Sequence, residues 1–210
     1  MRKGGLIKSS TVEQAFLAVD RGNYINRSPY EDSPQAIGHA ATISAPHMHA
    51  MCTEHLLQHL QPGMIALDVG SGSGYLAAIF GRLVGTRGRV VGIDHIDELV
   101  RLSISNMRRA DADLLDSGTV QLLVGDGRNG YVAGGPYDAI HVGAAAPFIP
   151  QALTEQLKPG GRLVIPIGPE HGRQSLMQVD KMQDGRLVQS ELMGVRYVPL
   201  CDKQHQEERQ

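Results

Sequence analysis

The sequence contains no tryptophan, and aromatic residues make up only 4% of it. Single-stranded nucleic acid is usually held by stacking its bases on aromatic side chains, so a base-stacking surface is not expected. An excess of positive charge is also missing. The 20 Lys and Arg face 22 Asp and Glu, giving a formal net charge of −2. Without a basic face, we expect no nucleic-acid partner.

Cysteine and long apolar runs are equally scarce. Cys52 and Cys201 are the only cysteines, too few for a disulfide framework and compatible with a reducing compartment. No stretch approaches the roughly 20 apolar residues of a membrane span. The residues after Met1 do not form the apolar run of a signal peptide. We therefore expect a cytoplasmic protein without a membrane partner.

The 210 residues, 41% of them hydrophobic, fit a single domain over 1–210 with a sizeable core. Residues 1–60 are expected to hold two helices and a loop. The first helix begins at a capping-box pattern, Ser10 to Glu13, and ends near residues 21–23. A Pro-, Gly- and Ser-rich loop spans 24–45, a length that is usually functional or disordered. The second helix starts at Pro46, in the favoured first turn.

The core, expected over residues 61–200, alternates short apolar runs with helical patterns, and the tail covers 201–210. Strands are predicted at 65–69, 89–93, 120–124, 137–142 and 162–167, and helices at 75–84, 96–109 and 150–157. This alternation predicts a doubly wound, mostly parallel α/β sheet of the Rossmann-like kind. Asp184-Gly185 between 175–181 and 186–198 predicts a hairpin, hence an antiparallel C-terminal edge.

A glycine loop, Gly70-Ser71-Gly72-Ser73-Gly74, follows the first core strand and its last acid, Asp68. Its spacing differs from the dinucleotide fingerprint GxGxxG, which requires Gly or Ala where this chain has Tyr75. A carboxylate at Asp68 would repel a pyrophosphate but attract a cationic ligand. The loop, with Asp68 and Gly70 as contacts, therefore favours S-adenosylmethionine, which carries an amino group and a sulfonium.

Two further acids follow the next two strands. Asp94 comes 20 residues after the loop and is suited to accept the hydroxyls of a ribose. Asp126 follows the third strand and is expected to meet the adenine amino group. Each alone has a structural explanation, since Asp94 can cap a helix and Asp126 can belong to a turn. Acids at three successive strand ends together favour a nucleoside site.

The acceptor site is predicted in the segment that enters the second helix, residues 41–50. Thr42, Ser44 and the amides of the helix start are suited to bind an anion. Taken locally, Ser44 can equally be a simple N-cap. His47 and His49 do not indicate a metal, because residues two apart on a helix do not share a face and no HExxH or CxxC accompanies them.

With these segments together, the chain resembles the protein-L-isoaspartate O-methyltransferase family, most closely its eukaryotic form. The resemblance covers about residues 12–203. Its motifs are the segment 41–50, the glycine loop with its strand at 66–74, Val124-Gly125-Asp126-Gly127, the strand and Ala-rich turn at 137–147, and Tyr197-Val198-Pro199-Leu200. The glycine loop is common to many methyltransferases, whereas the segment 41–50 and the Ala-rich turn are much more specific.

The resemblance implies methylation of the free α-carboxylate of L-isoaspartyl residues in damaged proteins and peptides, by a cytosolic monomer without metal. It makes Ser44 the active-site serine. It also implies that the cofactor is held by positions shared with the family: Ala41, Thr42, Ile43, Ser44, His49, Ser73, Asp94, Asp126, Gly127 and Gln206. We expect the substrate to contact Thr42, Ser44 and Val198, the last from a strand that walls a groove.

One position departs from the family, whose tail usually continues with Thr where this chain has Cys201. That places the tail contact in question. Three alternatives also stay open on the residues alone. The acceptor can be another carboxylate, the enzyme can be a nicotinamide-dependent oxidoreductase, or the chain can be a non-catalytic binder that keeps the nucleoside pocket.

Overall fold

A computed structural model describes residues 5–208, so both ends of the predicted domain, 1–4 and 209–210, lie outside the described residues. The helices are α1 Ser10–Ala18, α2 Pro46–Leu56, α3 Tyr75–Val84, α4 Asp97–Ala110, α5 Ala112–Asp116, α6 Gln151–Gln156 and α7 Lys203–Glu207. The strands are β1 Gln35–Gly38, β2 Ala41–Ile43, β3 Ile65–Val69, β4 Arg89–Asp94, β5 Val120–Val124, β6 Tyr137–Val142, β7 Leu157–Ile167, β8 Gln174–Lys181 and β9 Leu187–Val195.

Seven strands form one sheet in the order β5-β4-β3-β6-β7-β8-β9. The strands from β5 to β7 pair in parallel, and β8 and β9 extend the sheet antiparallel. The predicted fold class is thereby confirmed, including the hairpin at the C-terminal edge. The chain runs outward from β3 to β5 and then crosses back to β6, so strand order reverses beside β3. Ligands of such sheets bind at the carboxyl ends of the strands at this reversal.

Burial explains why the parallel strands are continuous apolar runs. Val69, Val91 and Ile140 are fully buried, because helices cover both faces of the sheet. Helix α3 is buried along almost its whole length, whereas α4 turns a charged face outward, where Arg101 pairs with Asp97. Two apolar clusters, one on each side of the sheet, hold the strand ends that carry the site.

The segment 24–45, expected to be a loop, contains an antiparallel hairpin of β1 and β2. Its two turn residues, His39 and Ala40, both have φ of +52°, as in a type I′ turn. This hairpin has no signal in the sequence, because its strands are only four and three residues long and its turn lacks Asn-Gly. The hairpin carries Thr42 to the mouth of the site.

The capping box predicted at Ser10 does not form. Helix α1 begins at Ser10 with Ser9 as its N-cap residue, and no side chain caps it. Instead the carboxylate of Glu54, from α2, accepts hydrogen bonds from the Ser9 hydroxyl at 2.6 Å and from the main-chain N–H groups of Lys8 and Ser9. A charged acceptor on a neighbouring helix makes stronger hydrogen bonds than a local hydroxyl, and it docks α1 on α2.

Candidate active site

The glycine loop turns the chain sharply from β3 into α3. The N–H groups of Gly70 and Ser71 both donate to the carbonyl of Ile93 on the neighbouring strand, at 2.8 and 3.0 Å. Gly74 has φ of +84°, and a Cβ there would lie 3.0 Å from Cβ of Ser103. Only glycine accommodates both that backbone conformation and that approach. The loop backbone therefore stays open to a ligand above β3.

The chain after β9 closes over the same strand ends. The N–H of Ala145 donates to the carbonyl of Val198 at 2.8 Å, and the N–H of Leu200 donates to the carbonyl of Ala145 at 2.7 Å. Gln206 is anchored from α7, where its side-chain N–H donates to the carbonyl of His39 at 2.8 Å and its Oε1 lies 2.6 Å from Nε2 of His95. The C-terminal segment thus forms one wall of a cleft.

That cleft, called here the outer cleft, runs over the carboxyl ends of β3 and β4. Its lining combines backbone of the glycine loop, the acid of β4 and the C-terminal wall: Ala41, Thr42, Gly70, Gly72, Ile93, Asp94, His95, Gly127, Gly143, Ala144, Val198, Pro199, Leu200, Cys201 and Gln206. Apolar Ile93 and Leu200 and the bare backbone of Gly127 suit a flat ring. A Cβ on Gly127 would meet Cγ1 of Val69 at 2.4 Å, so this approach requires glycine.

A smaller space, the inner cavity, shares Thr42 and glycine-loop residues with the outer cleft and is bounded by His49 of α2. It is lined by Thr42, Ile43, Ser44, His49, Asp68, Gly70, Ser71, Gly72, Ser73, Leu76, His141 and Gly143. Within it, Asp68 is 1% exposed and its Oδ2 atom has no hydrogen-bond partner. The Ser71 hydroxyl is also buried without a partner. Because unpaired buried carboxylate oxygens are costly, this pair of atoms is a built acceptor for a cationic ligand group.

A third space, the groove, lies on the outer side of the hairpin and α2. Its lining is Pro34, Thr42, Ser44, Ala45, Met48, Glu170, His171, Arg196, Tyr197 and Val198. Thr42 borders all three spaces, Ser44 separates the groove from the inner cavity, and Val198 separates it from the outer cleft. A second molecule in the groove would therefore meet the ligand of the cleft at the three predicted substrate-binding residues, Thr42, Ser44 and Val198.

Asp68 is held by His141, which faces it on the neighbouring strand β6 with Nδ1 at 2.8 Å from Oδ1. Burial lowers the pKa of His141, but hydrogen bonding to Asp68 and Cys52 prevails and raises it to about 10. A histidine that keeps its proton beside a carboxylate is an ion pair, which fixes the direction of Asp68. Its second oxygen, Oδ2, is left without a partner in the wall of the inner cavity.

Asp94 lies at the end of β4 and is 8% exposed. Its carboxylate accepts hydrogen bonds from the N–H groups of Gly72 and Ile96, each at 3.1 Å. The second bond is the local capping contact that the sequence allowed, and the first ties the acid to the glycine loop. Burial raises the pKa of Asp94, whereas these two N–H groups oppose that rise.

Of the thirteen predicted site residues, Asp126 is the one whose side chain is engaged elsewhere. Its carboxylate pairs with the Arg128 guanidinium at 2.8 Å and accepts the Arg128 N–H at 3.0 Å. It does not line the outer cleft, although its neighbour Gly127 does. The structure brings the other twelve together around the connected cleft, cavity and groove.

Three residues at the site were not assigned a role from the sequence, namely Arg21, Ser71 and His141, whereas Tyr197 belongs to the strand expected to wall the groove and does line it. Arg21 donates to the main-chain carbonyl of Ser44 at 2.8 Å and to Nδ1 of His49 at 3.2 Å. Burial raises the pKa of Tyr197 well above its ordinary range, and a hydrogen bond from Ser44 opposes that rise. No local pattern marks Arg21, because it reaches Ser44 and His49 from another part of the chain.

His47 and His49 separate as expected from their spacing. His47 lies outside the cavity with Nδ1 2.8 Å from Asp32, and His49 is buried in the cavity wall. Within residues 5–208, no three His, Cys, Asp or Glu side chains are grouped so that they can hold a metal ion. No helix in this range is long and apolar enough to cross a bilayer.

Comparison with known proteins connects this site to one family. The model of the protein-L-isoaspartate(D-aspartate) O-methyltransferase family matches residues 1–205. Protein-L-isoaspartate O-methyltransferase 1 of Arabidopsis thaliana is 52% identical over 209 residues, covering 98% of this chain and 90% of the relative. The Caenorhabditis elegans enzyme is 47% identical over 206 residues, covering 98% and 91%.

A solved structure extends the comparison to the fold. A Plasmodium falciparum crystal structure, described as a beta-aspartate methyltransferase in complex with S-adenosyl-L-homocysteine, is 35% identical with a TM-score of 0.89 and covers 95% of this chain and 94% of its own. The family match spans nearly the whole chain, and the relatives align over most of their own length. The chain belongs to the protein-L-isoaspartate (D-aspartate) O-methyltransferase family.

Proposed function

We propose that this chain transfers the methyl group of S-adenosylmethionine to the free α-carboxylate of L-isoaspartyl residues in damaged proteins and peptides, which starts their repair. The observation that carries the proposal is the position of Thr42, Ser44 and Val198 on the boundary between the groove and the two ligand spaces. Methyl transfer requires two molecules to meet at one point, and the family membership supplies their identity.

The residues present fit the cofactor. The unpartnered Oδ2 of Asp68 and the hydroxyl of Ser71 suit its ammonium group, and Asp94 suits its ribose hydroxyls. The apolar walls formed by Ile93 and Leu200 suit the adenine ring. When bound, S-adenosylmethionine supplies an electrophilic methyl group on a sulfonium. We assign cofactor binding to the twelve positions that were predicted to hold the cofactor. Asp126 is one of them and lies at the edge of the cleft, beside Gly127.

The chain's own task is then mainly to position the acceptor. A carboxylate is already ionised at neutral pH, so no general base is required. We assign to the Ser44 hydroxyl a hydrogen bond that orients the carboxylate, and to the groove the removal of water from it. Ser44 is half-buried, and its main chain is held by Arg21, which suits a donor of fixed direction.

The test is methyl transfer to two matched peptides, one with L-isoaspartate and the other with normal L-aspartate at the same position. Base-labile methyl ester on the first peptide alone is the expected result. Label on both peptides, or on a small carboxylic acid in their place, would replace the isoaspartyl acceptor with another one. Label on neither, with cofactor still bound, would favour a non-catalytic binder.

Ser44→Ala tests the role of the serine. We expect kcat to fall while the calorimetric affinity for S-adenosyl-L-homocysteine stays within about threefold of wild type, because the hydroxyl orients the acceptor and not the cofactor. Ser117→Ala is the control, since Ser117 lies at the end of α5 and bonds to Asp113 and Thr119 away from the groove. Unchanged turnover in Ser44→Ala would refute the assignment.

We also propose that the protein acts as a cytosolic monomer. The small number of cysteines, Cys52 and Cys201, supports a reducing compartment, and the family resemblance implies a cytosolic monomer. Light scattering coupled to size exclusion tests the monomer, and a mass of twice 22.7 kDa or more would contradict it.

A further inference from the structure

Arg21 is a buried cation under the active-site segment. It lies in the short turn after α1 and is 4% exposed. Within residues 5–208 no carboxylate forms an ion pair with it, and although the charge of Asp32 favours the guanidinium, burial prevails and lowers the pKa of Arg21. A buried guanidinium without a carboxylate partner is costly, so its other contacts must offset the desolvation.

Those contacts lead directly to the site. Nη2 donates to the carbonyl of Ser44 at 2.8 Å, and Nη1 donates to Nδ1 of His49 at 3.2 Å. The guanidinium carbon lies 5.2 Å from the centre of the Tyr75 ring. One side chain therefore joins the proposed active-site serine, 23 residues away, to a wall residue of the inner cavity, 28 residues away.

The bond to His49 also determines its tautomer. Arginine has only donors, so Nδ1 of His49 must accept and the ring proton must sit on Nε2. The ring stays neutral, because burial and the charges of Arg21, His141 and His47 lower the pKa of His49 well below its ordinary value. Tyr75 packs 5.3 Å from the imidazole, and Asp68 lines the same cavity. The N–H that His49 can offer to a ligand is therefore Nε2–H.

We propose that Arg21 is a positioning residue for methyl transfer, which holds the main chain of Ser44 in place and keeps His49 as the neutral Nε2–H tautomer. This inference rests on the proposed function for its kinetic consequence. The main chain that carries the Ser44 hydroxyl and the ring that carries the His49 N–H are then both held before any ligand arrives, as preorganised donors are in efficient sites.

The structure supplies a way to test this chemically. On its other side Arg21 borders a cavity of about 430 Å³ that also contacts Phe16, Leu17, Tyr30 and Tyr75. Leu17 and Tyr30 are 72% and 73% exposed, so this cavity opens to solvent. Shortening Arg21 to alanine would join its vacated space to the cavity. A free guanidinium ion can then enter from solvent and replace the missing group.

The matched control is Arg89→Ala. Arg89 also donates from Nη2 to a main-chain carbonyl, that of Gly134 at 2.7 Å, and like Arg21 its Nε is buried without a partner. It lies at the start of β4, the opposite end of the strand from the site. Arg89 is half-buried, whereas Arg21 is buried, but any loss that comes only from removing a guanidinium bonded to a main-chain carbonyl should appear in both variants.

We expect Arg21→Ala to lower kcat at least tenfold, with a smaller change in KM for the isoaspartyl peptide. Guanidinium chloride at non-denaturing concentrations should restore kcat severalfold, and neither sodium chloride nor the uncharged, planar urea should do so. Arg21→Lys, which keeps the charge but cannot reach both partners, should be intermediate. Arg89→Ala should keep wild-type kcat and should not respond to guanidinium.

The imidazole nitrogen signals of His49 provide a readout that does not depend on turnover. In wild type they should report Nε2–H alone, in Arg21→Ala a mixture of both neutral tautomers, and with guanidinium the Nε2–H form again. Unchanged His49 signals in Arg21→Ala, or a loss of kcat matched by Arg89→Ala, would overturn the proposal. If wild type failed to methylate isoaspartyl peptides, the proposed function would fall, while these signals would still decide the role of Arg21.

Discussion

Replacing Asp94 by alanine separates the cofactor role of this acid from its structural role. The carboxylate is almost fully buried and accepts two main-chain hydrogen bonds, from Gly72 and Ile96. At about 0.5–1.5 kcal/mol for each bond, the variant should lose about 1–3 kcal/mol of unfolding free energy without ligand. Ribose hydroxyls donating to a charged acceptor should contribute a further 1.5–3 kcal/mol, roughly, to cofactor binding.

The second figure corresponds to an increase of about 10- to 150-fold in the dissociation constant, since 1.4 kcal/mol is about tenfold. Isothermal titration with S-adenosyl-L-homocysteine measures it, and chemical denaturation measures the first. Asp97→Ala is the control, because Asp97 lies three residues later, is half-exposed and pairs only with Arg101. It should lower stability by at most about 0.5 kcal/mol and leave cofactor affinity unchanged.

The same acid predicts a pH dependence. Burial raises the pKa of Asp94, so its protonated form contributes stability to the free protein that is lost as pH rises through that pKa. Ribose hydroxyls prefer the ionised form. Cofactor affinity in wild type should therefore fall as pH falls below the pKa of Asp94, and this decline should disappear in Asp94→Ala. An unchanged dissociation constant in Asp94→Ala, despite its lower stability, would refute the ribose assignment.

Three further predictions test the supports of the site. In wild type the unfolding free energy should decline between about pH 7 and 10, because hydrogen bonding to Asp68 raises the pKa of the buried His141 imidazole to about 10 and the stability from its proton is lost as the pH rises. His141→Gln should flatten this decline. Equal slopes in both proteins would contradict the ion pair. Gly127→Ala should lower the unfolding free energy by about 1–3 kcal/mol and weaken cofactor binding, since the new Cβ would lie 2.4 Å from Val69. Gly125→Ala is the control, because its Cβ would have its nearest neighbour at 3.9 Å, and its thermal melt should match that of wild type. Iodoacetamide should alkylate the partly exposed Cys201 and spare the buried Cys52. S-adenosyl-L-homocysteine should slow the alkylation of Cys201, because Cys201 lines the outer cleft. Equal labelling with and without S-adenosyl-L-homocysteine, measured by mass spectrometry, would place Cys201 outside the cofactor site.

The position of the glycine loop and of the acids Asp68 and Asp94 at the edge of the sheet could be predicted from the sequence, because it depends on local structure. A parallel strand brings its last residue to a known edge of the sheet, and the residues that follow must form the ligand loop. The same logic also predicts a role for Asp126, which follows a strand too, but it did not predict the ion pair that this acid makes. Its neighbour Arg128 folds back onto the carboxylate, and a pattern of residue types does not show which of two partners a charge will choose.

Two local predictions were wrong for a related reason, the capping box at Ser10, which does not form, and the loop at 24–45, which contains the hairpin at 35–43. Both depend on contacts between distant parts of the chain, Glu54 in one case and the C-terminal helix in the other, where Gln206 bonds to the hairpin turn at His39. Local propensity sets the length of a helix or loop, but tertiary partners decide which hydrogen bonds form.

The sequence by itself determined the fold class and the family resemblance, and it predicted most of the residues that line the outer cleft and the inner cavity, because hydrophobic period and motif spacing are properties of neighbouring residues. Only the tertiary structure decided that Asp68 is paired with His141 and keeps one oxygen free, that Val198 closes the cleft over Ala145, and that Arg21 joins Ser44 to His49. These contacts join residues that are 23 to 73 positions apart in the chain. They follow from strand order and packing, which bring together side chains that no local pattern relates.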